Sequence, residues 1–228
     1  MRELPKLNAH INVTTVGYVL IDYCRRPLED VRRDINLYAG WAAENATTGL
    51  GIEGIFLDET PNHFSPERAE YLQAVQQHIK ATSGILGDRL VSVRLFHLAP
   101  TRLKSLLQDI FSCSTKLMFC QQVIHNPGTP PDAALIPPLP VGPDVVITCE
   151  EPYDRYREDE VQQRLQEYPC NWARAGYMIS AVPDGEIATF VGQLCHRGAY
   201  LFVTDLVENF YESFGRSWTE FVAATEVT

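Results

Sequence analysis

A chain of 228 residues with 45% hydrophobic and 21% charged residues can bury one full core, which excludes disorder and sets the expectation of one globular domain over residues 1–228. The net charge of -10 and pI near 5.0 oppose binding to nucleic acid and to anionic membranes, so a neutral or cationic partner is expected. No apolar run reaches the roughly 18 residues of a membrane span, and Met1 is followed by Arg2-Glu3-Leu4-Pro5-Lys6 rather than an apolar leader. Neither a transmembrane segment nor a signal peptide is therefore read in the chain as written. The cysteines at 24, 113, 120, 149, 170 and 195 form no Cys-x-x-Cys pair and no zinc spacing with His, so no disulfide framework and no metal site is expected. The triplets Asn12-Val13-Thr14 and Asn45-Ala46-Thr47 are glycosylation sequons that matter only in an exported protein.

Along the chain, strands and helices alternate. Val13 to Ile21 is β-rich and ends at Asp22-Tyr23; Pro27 then opens a helix with Leu28, Val31, Ile35, Tyr38 and Ala42 on one stripe. Gly54 to Leu57 is the next strand, followed by Ser65-Pro66 as N-cap and first-turn proline of a helix with Ala69, Leu72, Val75 and Ile79 on its apolar face. Val145 to Thr148 is a strand ending in Cys149-Glu150-Glu151, with a polar helix from about Asp159 showing Val161, Leu165 and Tyr168. Gly176 to Ala181 and Ala199 to Val203 read as strands. Thr204-Asp205 is expected to begin a final helix carrying Leu206, Phe210 and Phe214 before Trp218 and Phe221. This alternation predicts an α/β fold with a parallel sheet and right-handed crossovers.

One segment interrupts the order. Residues 91–122 carry Arg94, Arg102, Lys104 and Lys116 against Asp109, a net charge of +3, whereas the remainder carries 15 basic and 28 acidic residues, a net of -13. Excised on paper, the segment leaves Leu90 joined to Val123-Ile124-His125-Asn126-Pro127-Gly128, an uninterrupted strand entering a turn. Codons for Val91-Ser92 can spell the splice donor GTGAGT, and Gln121 or Gln122 can end in the acceptor CAG. The expectation is a foreign insertion read from an unspliced intron. The other reading is a genuine surface insertion whose Leu103, Leu106, Leu107 and Ile110 form an amphipathic helix.

The run Gly54-Ile55-Phe56-Leu57-Asp58-Glu59-Thr60-Pro61-Asn62 carries the strongest chemical signal. A buried strand ends in two adjacent carboxylates, which a strand points to opposite faces, so one is expected to face a pocket and the other to support it. The C-terminal ends of parallel strands are where barrel enzymes keep their active sites. A turn-capping Asp is the competing reading.

The motifs Gly17-Tyr18-Val19, Asp22-Tyr23, Asp34-Ile35-Asn36-Leu37-Tyr38-Ala39-Gly40-Trp41, Gly54 to Glu59, Asn126-Pro127-Gly128, Asp144-Val145-Val146 leading to Glu150, and Phe202-Val203-Thr204-Asp205 occur in the order of the spherulin-4-like family. That family includes glycoside hydrolase family 135. The resemblance spans nearly the whole chain apart from residues 91–122. It implies a (β/α)8 barrel of TIM type, with about six of the eight βα units present, as though truncated at the N-terminus. It further implies hydrolysis of α-1,4-linked N-acetylgalactosamine in galactosaminogalactan, a fungal exopolysaccharide, by an extracellular or surface-bound monomer without a cofactor. At Tyr177-Met178-Ile179-Ser180 the sequence departs from similar proteins, which tend to carry a His before the Ser.

Glycoside hydrolysis needs one carboxyl to protonate the leaving oxygen and one to stabilise or attack the sugar carbon. The resemblance implies Asp58 as nucleophile or oxocarbenium stabiliser and Glu150 as general acid/base, with Glu59 positioning substrate or tuning its neighbour. Glu151 rivals Glu150, since a shift of one residue changes which faces inward. Tyr18, Asp22, Tyr23, Asn126 and Glu151 are candidate substrate contacts, although packing accounts equally for the tyrosines and turn geometry for Asn126. His125 reads as a strand histidine without a catalytic role. Two other classes stay open: a metal-dependent lyase or phosphodiesterase with Asp22, Asp58, Glu59 and Glu150 around Mg²⁺ or Ca²⁺, and a non-catalytic carbohydrate-binding barrel of a spore or cell surface.

Overall fold

The segments rich in β-branched residues line up as one parallel sheet. The computed structural model, which describes residues 3–10, 12–85, 121–169 and 171–227, contains β1 (Val16–Leu20), β2 (Gly54–Asp58), β3 (Gln122–Asn126), β4 (Val145–Pro152), β5 (Ala175–Ser180) and β6 (Tyr200–Val203). They are hydrogen-bonded in chain order, β1-β2-β3-β4-β5-β6, and every pairing is parallel. A parallel sheet wound without reversal puts its right-handed crossovers on one face and leaves the other to become the inside of a barrel. A doubly wound sheet would reverse order at a switch point, and this one does not. Among the described residues β1 and β6 are the sheet's two edges.

The period-two alternation of the strands sorts the side chains between these faces. Val19, Ile55, Leu57 and Val123 turn outward and are buried with Val31 and Ile35 of the helix Leu28–Ala43 and Leu72, Val75 and Ile79 of the helix Pro66–Ala81. Ser65 caps the second helix by accepting the Arg68 amide at 3.2 Å, as its place before Pro66 predicts. Under β4 to β6 a second core gathers Cys149, Ala175, Tyr177, Ile179 and Val203 against Val161, Phe190, Leu194 and Phe221. Each fully buried aliphatic side chain contributes about 1.5–3 kcal/mol. On the inner face Tyr18 is 55% exposed beside Val19 at 1%, so the outer face holds the sheet together and the inner face is left for chemistry. Gly54 lets β3 approach β2: a Cβ there would lie 2.4 Å from the Gln122 carbonyl oxygen.

Several expectations are corrected by the tertiary structure. β4 runs through Cys149-Glu150-Glu151 to Pro152 instead of ending at Thr148, because β5 continues to pair with it as far as Ser180. The helix Ile187–Leu194 has no counterpart among the sequence expectations, although its buried Ile187, Phe190, Val191 and Leu194 are spaced as one helical face. The final helix begins at Trp218, not at Thr204. Thr204 Oγ1 accepts the Leu206 amide, Asp205 Oδ1 accepts the Ser217 amide, and Asn209 takes a left-handed φ of 49°, so the residues between form a pinned loop. Phe210 and Phe214 therefore belong to that loop and not to a helical stripe. Of residues 91–122, Gln121 and Gln122 are described: Gln122 opens β3 opposite Gly54. The expected insertion otherwise lies outside the described residues, as does Leu90.

Candidate active site

The register of the sheet brings the C-terminal ends of β1 to β4 side by side. Leu20 pairs with Asp58, and Asp58 with Asn126. Beyond these ends the backbone is left-handed at Asp22, Tyr23 and Cys24 (φ 49°, 51° and 68°), at Glu59 (53°) and at Ala181 after β5 (56°). Each such non-glycine residue costs on the order of 1 kcal/mol, and that strain collects along one rim of the sheet. It is held by cross-strand bonds: the Ile21 amide donates to the Asp58 carbonyl at 3.1 Å and the Tyr23 amide to the Glu59 carbonyl at 2.7 Å.

Asp58 accepts three hydrogen bonds: the Tyr18 hydroxyl at 2.7 Å on Oδ2, and the Asn126 amide nitrogen and the Glu59 backbone amide, both at 2.9 Å, on Oδ1. The same Asn126 nitrogen donates to Glu150 Oε2 at 2.7 Å, and the Tyr211 hydroxyl donates to Glu150 Oε1. The Asn126 side-chain oxygen accepts the Gly128 amide at 3.1 Å, which determines which way the side-chain amide points. Gly128 holds φ at 67°, and its carbonyl accepts the Glu150 amide at 2.9 Å, so the Asn-Pro-Gly turn also seats the backbone of the second acid. Tyr18, Asp58, Asn126, Glu150 and Tyr211 thus form one chain of hydrogen bonds across the strand ends.

A β-bulge in β4 sets which of the adjacent glutamates faces inward. Val146 pairs with Ala175 and Ile147 with Gly176, but Cys149 is next, opposite Tyr177, so Thr148 is the extra residue. Unbroken alternation from the outward-facing Val146 would send Glu150 outward and Glu151 inward; the extra residue reverses that parity. Cys149 joins the outer core, Glu150 meets Asn126, and Glu151 bonds Arg164 of the outer helix Asp159–Glu167 at 3.2 Å.

The remaining candidates are placed apart from the carboxylate pair. Asp22 is paired with Arg25, whose guanidinium also lies 5.5 Å from the centre of the exposed Tyr23 ring. Glu59 takes part through its backbone, and its carboxylate adds to the negative field at Tyr18 and Arg25. Burial, the hydrogen bond to Asp58 and the charges of Asp58, Glu59 and Glu150 push the Tyr18 phenol up to about 12. Shielding from water and the bond to Glu150 push Tyr211 up as well, so both phenols stay donors at neutral pH. His125, 1% exposed, lies on the outer face with no hydrogen-bond partner for either ring nitrogen among the described residues, and burial and Arg174 pull it down to about 3. Tyr211 is the site residue that sequence reasoning missed; the signal for a loop there was Asn209, a residue at home at positive φ. Met178 stands opposite Glu150 in the β4–β5 register.

The family model described as "Spherulation-specific family 4" matches residues 1–225. The chain belongs to that family. No curated protein matches the chain. Among solved structures it is similar to Aspergillus clavatus Sph3, crystallised in complex with GalNAc, at 28% identity and a TM-score of 0.76, covering 98% of this chain and 76% of that one. The six-stranded α/β sheet is accordingly of the TIM-barrel type. Among the described residues no helix is long and apolar enough to cross a membrane.

Proposed function

We propose that this protein is a glycoside hydrolase that cleaves α-1,4-linked N-acetylgalactosamine or galactosamine in a galactosaminogalactan-like fungal exopolysaccharide, outside the cell or at its surface. The observation that carries the reading is the single Asn126 amide shared by Asp58 and Glu150, which holds two carboxyl groups face to face at the C-terminal end of the sheet. Similarity to a sugar-bound relative supports a carbohydrate-binding or glycoside hydrolase-like role.

The two oxygens on Asn126 lie no further apart than the sum of their bonds to it, 2.9 and 2.7 Å, that is 5.6 Å. Retaining glycosidases hold their carboxyls about 5–5.5 Å apart and inverting ones about 6.5–9.5 Å; a pair bridged by one amide is compatible with the shorter class, and we read the reaction as retaining. Asp58, fixed as an acceptor by three donors, attacks the anomeric carbon while Glu150 gives its proton to the departing glycosidic oxygen. Glu150 then takes a proton from water, and the hydroxide displaces Asp58 from the sugar. Glu59 supports Asp58 through its backbone amide and adds negative charge that suits an amino sugar.

The test is release of reducing ends from the polymer. Asp58→Asn and Glu150→Gln are expected to lower it by about 10²–10⁴-fold, with Glu151→Gln close to wild type. Wild-type cleavage by either of the first two variants would sink the assignment. A second reading, a carbohydrate-binding barrel without catalysis, draws on Tyr18, whose ring is 55% exposed on the inner face where a sugar could stack. Polymer binding by the wild type with no reducing ends released would favour it.

A further inference from the structure

The phenol on Glu150 comes from far along the chain. Tyr211 sits in the loop between β6 and the helix Trp218–Val227, and reaches past β5 to β4. The loop is tied at both ends: the Asp205 amide donates to Ser217 Oγ at 3.0 Å, the Ser217 amide returns to Asp205 Oδ1 at 3.1 Å, and the Ala181 amide donates to the Leu206 carbonyl at 2.8 Å. Gly215, at φ 67°, turns the chain back where a Cβ would strike Asp205 Oδ1 at 2.5 Å. Phe210 packs on the Tyr211 ring with centroids 4.2 Å apart. The chain therefore spends many contacts on bringing one hydroxyl to one carboxylate oxygen.

Which oxygen it meets has a chemical consequence. Asn126 presents a donor to Oε2. A carbonyl oxygen accepts better than a carboxylic hydroxyl, so Asn126 favours Oε2 as the carbonyl oxygen and Oε1 as the proton's place, facing Tyr211, whose own oxygen can accept it. Met178 opposite Glu150 is uncharged. The charged and titratable groups around Glu150 are Asp58 on β2 across Asn126, Tyr18 on β1, Tyr211, and Cys149 on its own strand, while Arg164 is engaged with Glu151 on the far face.

We infer that Tyr211 is a positioning residue for the acid/base carboxylate: it aims Oε1 of Glu150 into the cleft and governs how readily that oxygen gives up its proton. This rests on the reading of Glu150 as the proton donor. When Glu150 is ionised the phenol donates to it; when Glu150 is protonated the phenol oxygen holds the proton until a glycosidic oxygen takes its place.

The test needs no substrate. In the full chain with ¹³C-labelled glutamate carboxyls, the Glu150 signal, assigned by its loss in Glu150→Gln, is titrated in the wild type and in Tyr211→Phe. Tyr211 is 60% exposed, so the loss of its hydroxyl leaves the fold intact. Removing a donor from the ionised carboxylate is expected to raise the midpoint by about one pH unit and to move the alkaline limb of kcat/KM the same way. An unmoved or lowered midpoint overturns the inference. A midpoint raised in Tyr211→Phe, with a wild type that releases no reducing ends, overturns the hydrolase reading and leaves the contact standing.

Discussion

Asn126→Ala tests the central claim that one amide holds two carboxylates together. The side chain is 5% exposed and its nitrogen gives hydrogen bonds of 2.9 and 2.7 Å to Asp58 and Glu150. Bonds to charged groups are each worth about 1.5–3 kcal/mol. Two bare carboxylates about 5 Å apart also repel by about 3 kcal/mol at an effective dielectric of 20. Since each carboxylate keeps other donors and water enters the gap, the expected loss at pH 7 is about 3 kcal/mol, a large share of a domain's roughly 5–15 kcal/mol. Urea unfolding followed by tryptophan fluorescence should show this deficit at pH 7, with Asn126→Asp, which puts a third carboxylate in the gap, worse than Ala. A loss below about 1 kcal/mol would refute the bridge.

Two further outcomes are expected. Tyr18, ordinarily near 10 and pushed up to about 12 by burial first and the Asp58 bond next, contributes stability that is complete below pH 10 and is lost as pH rises through 12. The ultraviolet phenolate signal should contain a late-titrating component that Tyr18→Phe removes; a component near pH 10 in its place contradicts the contact. We propose that residues 91–122 are a translated intron, so that a spliced transcript joins Leu90 to Val123. The variant lacking these residues puts Leu90 in the slot opposite Gly54 that Gln122 now fills at 8% exposure, and it should melt higher than the full chain. An abundant transcript retaining the segment, together with a lower melting temperature for the deletion, argues for a genuine insertion.

Much of the architecture was legible because it depends on local pattern. Ile55 and Leu57 before Asp58-Glu59, Ser65-Pro66 at a helix start, and Val145 to Ile147 each announce their element through spacing or capping within a few residues. The C-terminal helix was misread for the opposite reason: Leu206, Phe210 and Phe214 have helical spacing, but the bonds between Asp205 and Ser217 that close the loop join residues distant along the chain.

By itself the sequence determined the parallel α/β order, the family likeness and the presence of acids where strands end, since all of these follow from which residues neighbour one another in the chain. Which of Glu150 and Glu151 faces inward belonged to the tertiary structure, because one bulged residue, Thr148, reverses the parity of a strand whose local pattern is otherwise uniform. So did the contacts of Asn126 and Tyr211. A hydrogen bond from β3 to both β2 and β4, or from a loop to an acid 61 residues earlier, exists only once the sheet has set those strands in register.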